Sequence, residues 1–242
     1  MSKTTTKKGR FCNQVIRNLS LSLLAKKYDL YVEYSNFEDI NNKLGITLHI
    51  GNNKYDKTNK ITNTNYMKYL NENITVDYNL DMMSDYFQTE EITNILQKHL
   101  KEQMKNIMDK NPYKERYKNN NDIFLHIRLD DTKRWNVGID YYIHCIKLLQ
   151  YNNIYIGSDN FNDNLIIKLK TLYPNIIFFK EDPIKTIQFA STCKNIILSH
   201  GTFSAMIGYL GFFSNVYFPN KNPRWCPLGL FTNKGFIPIS IS

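Results

Sequence analysis

Short apolar runs alternate with amphipathic stretches in the second half of the chain, and this alternation constrains the fold more than any other feature of the sequence. The apolar runs have the length of buried strands, while the stretches between them show helical spacing. Strand, helix and strand at this spacing indicate a parallel, doubly wound α/β sheet. The predicted strands cover residues 123–127, 154–157, 176–179, 195–199 and 215–218, and the predicted helices cover residues 139–150, 162–173, 183–191 and 202–211.

The first half of the chain is less regular. Apolar side chains at helical spacing predict amphipathic helices over residues 14–27 and 90–108. Residues 28–34 form an alternating apolar stretch and predict a strand. Residues 36–75 are polar and Asn-rich, so we expect loops with small strands there.

The charged segment over residues 109–122 separates these two patterns. It contains Pro112 and lacks periodicity, which is typical of a segment between domains. A chain of 242 residues is long enough for two lobes that each bury a core. We therefore expect an N-terminal lobe over residues 1–115 and a C-terminal lobe over residues 120–242.

Composition excludes several classes of protein. The 17 Tyr and 14 Phe exclude a disordered tail. The chain shows neither a signal-peptide pattern nor a run of about 18 apolar residues, so a cytoplasmic protein without a membrane span is expected. Its four cysteines lack zinc-like or disulfide-framework spacing.

The net charge of +9 gives only weak support for nucleic-acid binding, because the Asn-, Lys- and Ile-rich composition is typical of an AT-rich genome. A basic nucleic-acid binder would use the Lys and Tyr side chains of residues 54–70 and 111–121. Those segments are more simply explained as solvated loops. No nucleic-acid partner is therefore expected, and no oligomeric state is predicted.

Polar clusters directly follow three of the predicted strands. They are HIRLDD at residues 126–131, GSDN at 157–160 and SHGTFS at 199–204. The carboxyl ends of parallel strands meet at one edge of a sheet, where ligands bind in such folds. The sequence therefore predicts one crevice that contains all three clusters.

Arg128 is one of six arginines and follows an apolar strand. A guanidinium at the mouth of a crevice suits a phosphate, because its planar fork donates two charge-assisted hydrogen bonds. The simpler alternative is an ion pair with Asp130 or Asp131 that fixes the loop. These adjacent acids point in divergent directions and no second acidic cluster follows, so no metal site is expected.

Residues 199–204 run from a strand into a helix, with small and hydroxylic side chains at the turn. Free backbone N–H groups, a helix dipole and the hydroxyls of Thr202 and Ser204 suit a diphosphate, and an ordinary helix cap is the alternative. Asp159 similarly suits either a ribose or base edge or a helix cap. His126 stands at a strand end, where a lone histidine is more often structural than catalytic.

The sequence GRFCNQ at residues 9–14 precedes the first predicted helix. Its Gly-Arg turn and its two amides suit a ligand, and an ordinary helix cap is again the alternative.

Taken in order, GRFCNQ, HIRLDD, GSDN and CKNIILSHGTFSAMIGYLG at residues 193–211 resemble the motifs of the GDP-fucose-dependent α-1,2/α-1,6-fucosyltransferase superfamily. That superfamily has G-R-x-G-N-Q, H-x-R-R-x-D, S-D-D and a final block with S-T-F-S. HIRLDD and the final block are the more specific matches.

The resemblance implies a GT-B architecture of two Rossmann-like lobes with parallel doubly wound sheets. It also implies inverting transfer of a sugar, expected to be L-fucose from GDP-fucose, to a glycan hydroxyl. No metal or other cofactor is required in this scheme. The expected partners are the nucleotide sugar and a glycan acceptor.

The resemblance also implies roles for single residues. By position, Arg128 would bind the β-phosphate, Thr202 and Ser204 would hold the diphosphate, and His126 and Asp159 would contact the nucleoside. The expected catalytic residues are Arg128, Asp131 and Arg10. The expected donor-binding residues are Gly9, Arg10, Asn13, Gln14, His126, Arg128, Ser158, Asp159, Ser199, His200, Gly201, Thr202, Phe203 and Ser204.

The chain departs from the motifs at two places. Leu129 stands where the motif has a second Arg, so transfer of another deoxysugar or pentose, and a non-catalytic nucleotide-sugar or glycan-binding module, stay open as alternatives. Cys12 replaces a Gly, and the first eight residues lack the apolar strand that should precede the Gly9–Arg10 turn. The N-terminal lobe is therefore expected to be reduced or irregular.

Overall fold

The computed structural model describes residues 1–4, 9–82, 85–221, 225–232 and 235–240. The chain forms two compact units, Met1–Lys110 and Asn111–Ser242. Both units contain a parallel sheet with helical connections, so the predicted α/β class is confirmed. Within the described residues, no helix is both long and apolar enough to cross a membrane.

The first unit is built on a four-stranded sheet in the order β2-β1-β4-β3. Its strands have only two or three residues, which agrees with the prediction of a reduced N-terminal lobe. The strands are β1 (Ser2–Lys3), β2 (Val32–Glu33), β3 (Thr58–Lys60) and β4 (Asn79–Asp81), and the helices are α1 (Phe11–Tyr28), α2 (Asn63–Asn71), α3 (Glu90–Glu102) and α4 (Met104–Lys110), with a π-helical turn at Asp39–Lys43.

The expectation that no strand precedes the Gly9–Arg10 turn is wrong. Strand β1 pairs in parallel with both β2 and β4. Ser2 takes the buried position of this strand, and its hydroxyl accepts a hydrogen bond from the Leu80 N–H at 2.9 Å. Because the buried residue of β1 is a serine and not an apolar residue, the hydropathy pattern does not predict this strand.

Two helices of the first unit also differ from the prediction. Helix α2 lies in the stretch predicted as loops, where Asn65 Oδ1 accepts from the Thr62 N–H at 2.8 Å and caps the helix start. The single helix predicted over residues 90–108 divides at Gln103 into α3 and α4. The Gln103 side chain bonds both backbone groups of Thr47 there, at 2.6 and 3.3 Å.

The second unit follows the predicted alternation closely. It consists of β5 (Ile123–Ile127), α5 (Ile139–Lys147), β6 (Ile154–Ser158), α6 (Asn164–Leu172), β7 (Ile177–Phe178), α7 (Pro183–Ala190), β8 (Asn195–Ile197), α8 (Thr202–Leu210), β9 (Asn215–Pro219) and β10 (Phe236–Ile239). Strand β10 was not predicted. It contains Pro238 and lies at the sheet edge, which is where a strand tolerates proline.

The strand order β10-β9-β8-β5-β6-β7 creates a switch point in the six-stranded parallel sheet. From β5 the chain proceeds outward through β6 and β7, then returns to the other side of β5 and proceeds through β8, β9 and β10. Because crossovers between parallel strands are almost always right-handed, the two directions place helices on both faces of the sheet. All five residues of β5 are buried, so the core of this unit surrounds its central strand. The crevice of such a sheet opens beyond the carboxyl ends of β5 and β8.

Candidate functional site

Arg128 and Gly201 meet at this switch point. Arg128 follows β5, and Gly201 is the N-cap residue of α8. The two are so close that a Cβ added to Gly201 would lie 2.6 Å from Arg128 Nη1. The guanidinium therefore lies at the N-terminus of α8, where the helix dipole adds to its positive potential.

Two further contacts hold the Arg128 side chain, which is 20% exposed. Asp131 accepts hydrogen bonds from Nε at 3.3 Å and from Nη2 at 3.0 and 3.1 Å. The Trp225 ring centroid lies 5.2 Å from Arg128 Cζ. The loop ion pair considered as an alternative is thus present, and it occupies the Nε–Nη2 edge while Nη1 lies against Gly201.

His126 forms a buried cluster with two serines. Its Nδ1 lies 2.5 Å from Ser204 Oγ and 3.1 Å from Ser199 Oγ, and the two hydroxyls are 3.0 Å apart. Burial, reinforced by the Arg128 charge, lowers the pKa of His126 to about 3. The imidazole is therefore neutral, and it joins the ends of β5 and β8 to the first turn of α8.

This cluster determines what its members offer to a ligand. Ser204 is fully buried and Ser199 is 2% exposed, so both hydroxyls serve the cluster in this structure. The Phe203 ring lies 4.9 Å from the His126 ring. Thr202, at 9% exposure, begins α8 and lies nearer the surface.

Asp159 links two of the strand-end loops. Its Oδ1 accepts a hydrogen bond from the Leu129 N–H at 2.7 Å. Helix α6 is capped by Asp163, whose carboxylate accepts from Leu165 N at 2.9 Å, so Asp159 is not that cap. Ser158 Oγ accepts from Asn160 N at 3.2 Å. The GSDN cluster thus lies beside HIRLDD, as its position after β6 predicts.

A small cavity lies beside Arg128, with room for about one water-sized group. Its lining includes Trp135, Asn136, His200 and Trp225. Pockets that enclose a whole drug-sized ligand have about 300–1,000 Å³. The cavity is therefore too small, as it stands in this structure, to enclose a nucleotide.

Two polar atoms of the cavity residues are buried without a hydrogen-bond partner among the described residues. They are His200 Nε2 and Trp225 Nε1. His200 is 5% exposed, and burial lowers the pKa of its imidazole, which keeps the ring neutral near pH 7. Buried polar groups are nearly always hydrogen-bonded in native proteins, so these two atoms are open to a water molecule or to a ligand.

The sequence analysis missed the two tryptophans. Trp135 and Trp225 are the only ones in the chain, and their ring centroids lie 6.1 Å apart beside the cavity. The position of Trp135 just after HIRLDD was a usable signal. Trp225 lies beyond β9, and spacing along the sequence does not indicate that it returns to Arg128.

The N-terminal cluster lies in the other unit, and its amides are bonded within that unit. Gln14 Nε2 donates to the Gly9 carbonyl at 3.0 Å, and Gln14 Oε1 accepts from the Asn36 amide. Gln88 Nε2 donates to Asn13 Oδ1 at 2.6 Å. These bonds stabilise the turn before α1.

Gly9 has φ +79°, and a Cβ on it would lie 2.6 Å from the Asn13 Cβ, so the turn requires glycine. Arg10 is the exposed N-cap residue of α1. The donor-binding roles of Gly9, Arg10, Asn13 and Gln14 stay predictions.

All four cysteines are buried free thiols. Burial raises the pKa of each, for example that of Cys226 to about 11. Among the described residues, no group of three or more His, Cys, Asp and Glu side chains is placed to hold a metal ion.

No protein-family model matches the chain. No curated protein matches it either. The chain is similar to solved structures of the fucosyltransferase NodZ from Bradyrhizobium, with 11% identity, a TM-score of 0.40, and coverage of 63% of this chain and 57% of that one. For NodZ α-1,6-fucosyltransferase soaked with GDP-fucose the values are 13%, 0.37, 57% and 53%. For the same enzyme co-crystallised with GDP they are 14%, 0.37, 60% and 53%.

The chain therefore spans about half the length of these solved enzymes. Superpositions with such TM-scores establish neither a shared activity nor a shared site.

Proposed function

We propose that the chain is an inverting glycosyltransferase of GT-B type that transfers a sugar, L-fucose from GDP-fucose, to a glycan hydroxyl. The observation that carries the proposal is the contact of the Arg128 guanidinium with Gly201 at the start of α8. This contact lies at the switch point of the six-stranded sheet, where ligands of such folds bind. A cation and a helix N-terminus converge there, as a diphosphate requires.

The order of the motifs supports the same proposal. HIRLDD and CKNIILSHGTFSAMIGYLG are the two more specific matches to the fucosyltransferase motifs, and they lie far apart in sequence. His126 and Ser204, one from each motif, are in contact. The two motifs that carry the resemblance thus meet at one place, the edge of the sheet where ligands of such folds bind.

The chemistry follows from charge. As the bond between the sugar and the diphosphate breaks, negative charge grows on the leaving group. Groups already placed to stabilise that charge lower the barrier without a metal ion. Arg128 and the N-terminus of α8 supply this positive potential, and His126 holds the two loops in place.

The acceptor hydroxyl attacks the opposite face of the sugar carbon, which inverts its configuration. Loss of the hydroxyl proton is aided by a general base within hydrogen-bond reach. Both carboxylate oxygens of Asp131 accept from Arg128, on the side of the leaving group, so Asp131 orients the guanidinium and is not assigned as the base.

A non-catalytic nucleotide-sugar-binding module is the second candidate, and Leu129 favours it. This residue replaces the second Arg of the motif and is 1% exposed within the core of the unit. One cation is thereby lost, which reduces stabilisation of the transition state more than binding of the ground state.

Calorimetry with GDP, GMP and guanosine tests the proposal. GDP is expected to bind more tightly than GMP, because the diphosphate supplies most of the charge complementarity. Equal affinity for all three would reject the proposal.

Hydrolysis of a panel of nucleotide sugars then separates the candidates. Release of fucose from GDP-fucose supports the fucosyltransferase, and release of a different sugar identifies another transferase. Tight donor binding without any release, with and without glycan acceptors, favours the binding module.

A further inference from the structure

We infer that Trp225 and Gly201 are positioning residues for Arg128, because together they form a slot that fixes the guanidinium at the N-terminus of α8. The inference rests on the proposed function, since it concerns the same phosphate-binding arginine. It assigns a role to Trp225, which no motif includes. It also assigns a role to the absence of a Cβ at Gly201.

Gly201 forms one wall of the slot. Its φ of +102° lies in the region that favours glycine, and the space beside its Cα is already occupied. A Cβ there would lie 2.6 Å from Arg128 Nη1 and 3.4 Å from Trp225 Cη2. Any larger residue would therefore displace the guanidinium from the helix start.

Trp225 forms the second wall. Its ring centroid lies 5.2 Å from Arg128 Cζ, within the range of a cation–π contact. The other tryptophan of the cavity is stacked with a different cation, since Arg134 Cζ lies 3.7 Å from the Trp135 ring centroid. The two rings lie beside the same cavity, but each pairs with its own arginine.

The slot affects affinity through preorganisation. A free arginine loses rotamer entropy when it binds a phosphate, whereas one already held between a ring and a backbone loses little. Asp131 holds the Nε–Nη2 edge, so the position of Nη1 at the helix start is determined on three sides. Because Leu129 replaces the second Arg of the motif, the Arg128 guanidinium alone binds the phosphate in this proposal.

The test is a double-mutant cycle on GDP affinity. Trp225→Leu retains bulk but removes the aromatic face, and we expect it to weaken GDP binding about three- to fivefold, the scale of a cation–π contact. In the Arg128→Ala background the same change should have no effect, because the partner is gone. Trp225→Phe should restore most of the affinity, and thermal unfolding of each variant checks that it is folded.

Trp135→Leu is the matched control, because it makes the same change in the other tryptophan of the cavity. Its effect should be equal in the wild-type and Arg128→Ala backgrounds. Gly201→Ala provides a second route to the same answer, since it should also weaken GDP binding and lose that effect when Arg128 is absent. Effects of Trp225→Leu and Gly201→Ala that are equal in both backgrounds would overturn the inference and leave the proposed function intact.

Tryptophan fluorescence tests the slot without a nucleotide. In Trp135→Phe protein the only tryptophan is Trp225, so Arg128→Ala should shift its emission. Unchanged emission would overturn the inference. A clear shift in a protein that does not bind GDP would support the slot and reject the proposed function.

Discussion

The start of α8 and the start of α1 are similar in sequence but differ in how their polar groups are used. Each helix follows a parallel strand and a glycine with positive φ, at +102° and +79° respectively. Beside α8, Arg128 lies at the helix N-terminus, and His200 Nε2 and Trp225 Nε1 have no hydrogen-bond partner among the described residues. Beside α1, the amides of Asn13 and Gln14 bond other groups of the same unit.

The difference shows that a glycine turn before a helix does not by itself indicate a ligand site. Both ends present the dipole and the N–H groups that suit an anion. The α8 end adds the Arg128 guanidinium, a small cavity and two buried atoms that lack partners among the described residues. Beside α1 the polar groups stabilise the turn, whereas beside α8 two buried atoms are open to a ligand or a water molecule.

Arg128→Ala should produce the largest effect on this comparison. Loss of a charge-assisted hydrogen bond costs about 1.5–3 kcal/mol, so GDP affinity should fall about tenfold to more than a hundredfold. Arg128→Lys should recover only part of it, because a point charge does not reproduce the planar fork. Calorimetry measures both variants, and unchanged affinity in both would place the phosphate elsewhere.

Acidification should destabilise the second unit through His126. Burial holds the folded-state pKa at about 3, below the unfolded value of 6.5, so the unfolded state binds the proton first. The stability contributed by the neutral ring is present above pH 6.5 and is lost as the pH falls towards 3. Between pH 7 and pH 5 the loss is about 2 kcal/mol.

Urea unfolding at the two pH values measures this loss, and His126→Asn is the control. The variant lacks the imidazole. Between pH 7 and pH 5 its free energy of unfolding should therefore fall by about 2 kcal/mol less than that of the wild type. An equal pH dependence in both proteins would show that His126 is not held neutral.

Gln14→Ala tests the satisfied end of the comparison. It removes the bond to the Gly9 carbonyl and the acceptor for Asn36, so the free energy of unfolding should fall by about 1–2 kcal/mol. GDP affinity should change less than about twofold, because these bonds are internal to the first unit. A tenfold loss of GDP affinity at unchanged stability would remove the distinction between the two helix starts.

Removal of metal ions should have the smallest effect. The proposed transfer relies on Arg128 and the start of α8 for positive potential, so activity should survive EDTA. Loss of activity with EDTA and its recovery with Mg²⁺ or Mn²⁺ would instead indicate a metal site at Asp130 and Asp131.

The second unit was largely predictable because its signals are local. Strand β5 is buried at every residue and bounded by polar ones, so its limits follow from hydropathy alone. Helix α7 begins at Pro183 after the capping residue Asp182, another local signal. In the first unit, α1 and α3 also show helical spacing in the sequence. Local signals fail there for β1, which buries a serine, and for α2, which lies in an Asn-rich stretch whose cap is formed by Asn65.

The sequence by itself determined the order of strands and helices in the second unit and the polar residues that end the strands. Each depends on neighbours along the chain, where hydropathy and turn chemistry act. The sequence also predicted that the clusters of Arg128 and Gly201 share a crevice, but the tertiary structure alone decided that β8 pairs directly with β5 and that Gly201 contacts Arg128. It also decided that the Trp225 ring contacts the Arg128 guanidinium, and that the Gln14 side chain forms its hydrogen bonds within the first unit. Those outcomes depend on contacts between residues distant in sequence, and local patterns do not specify which distant partners meet.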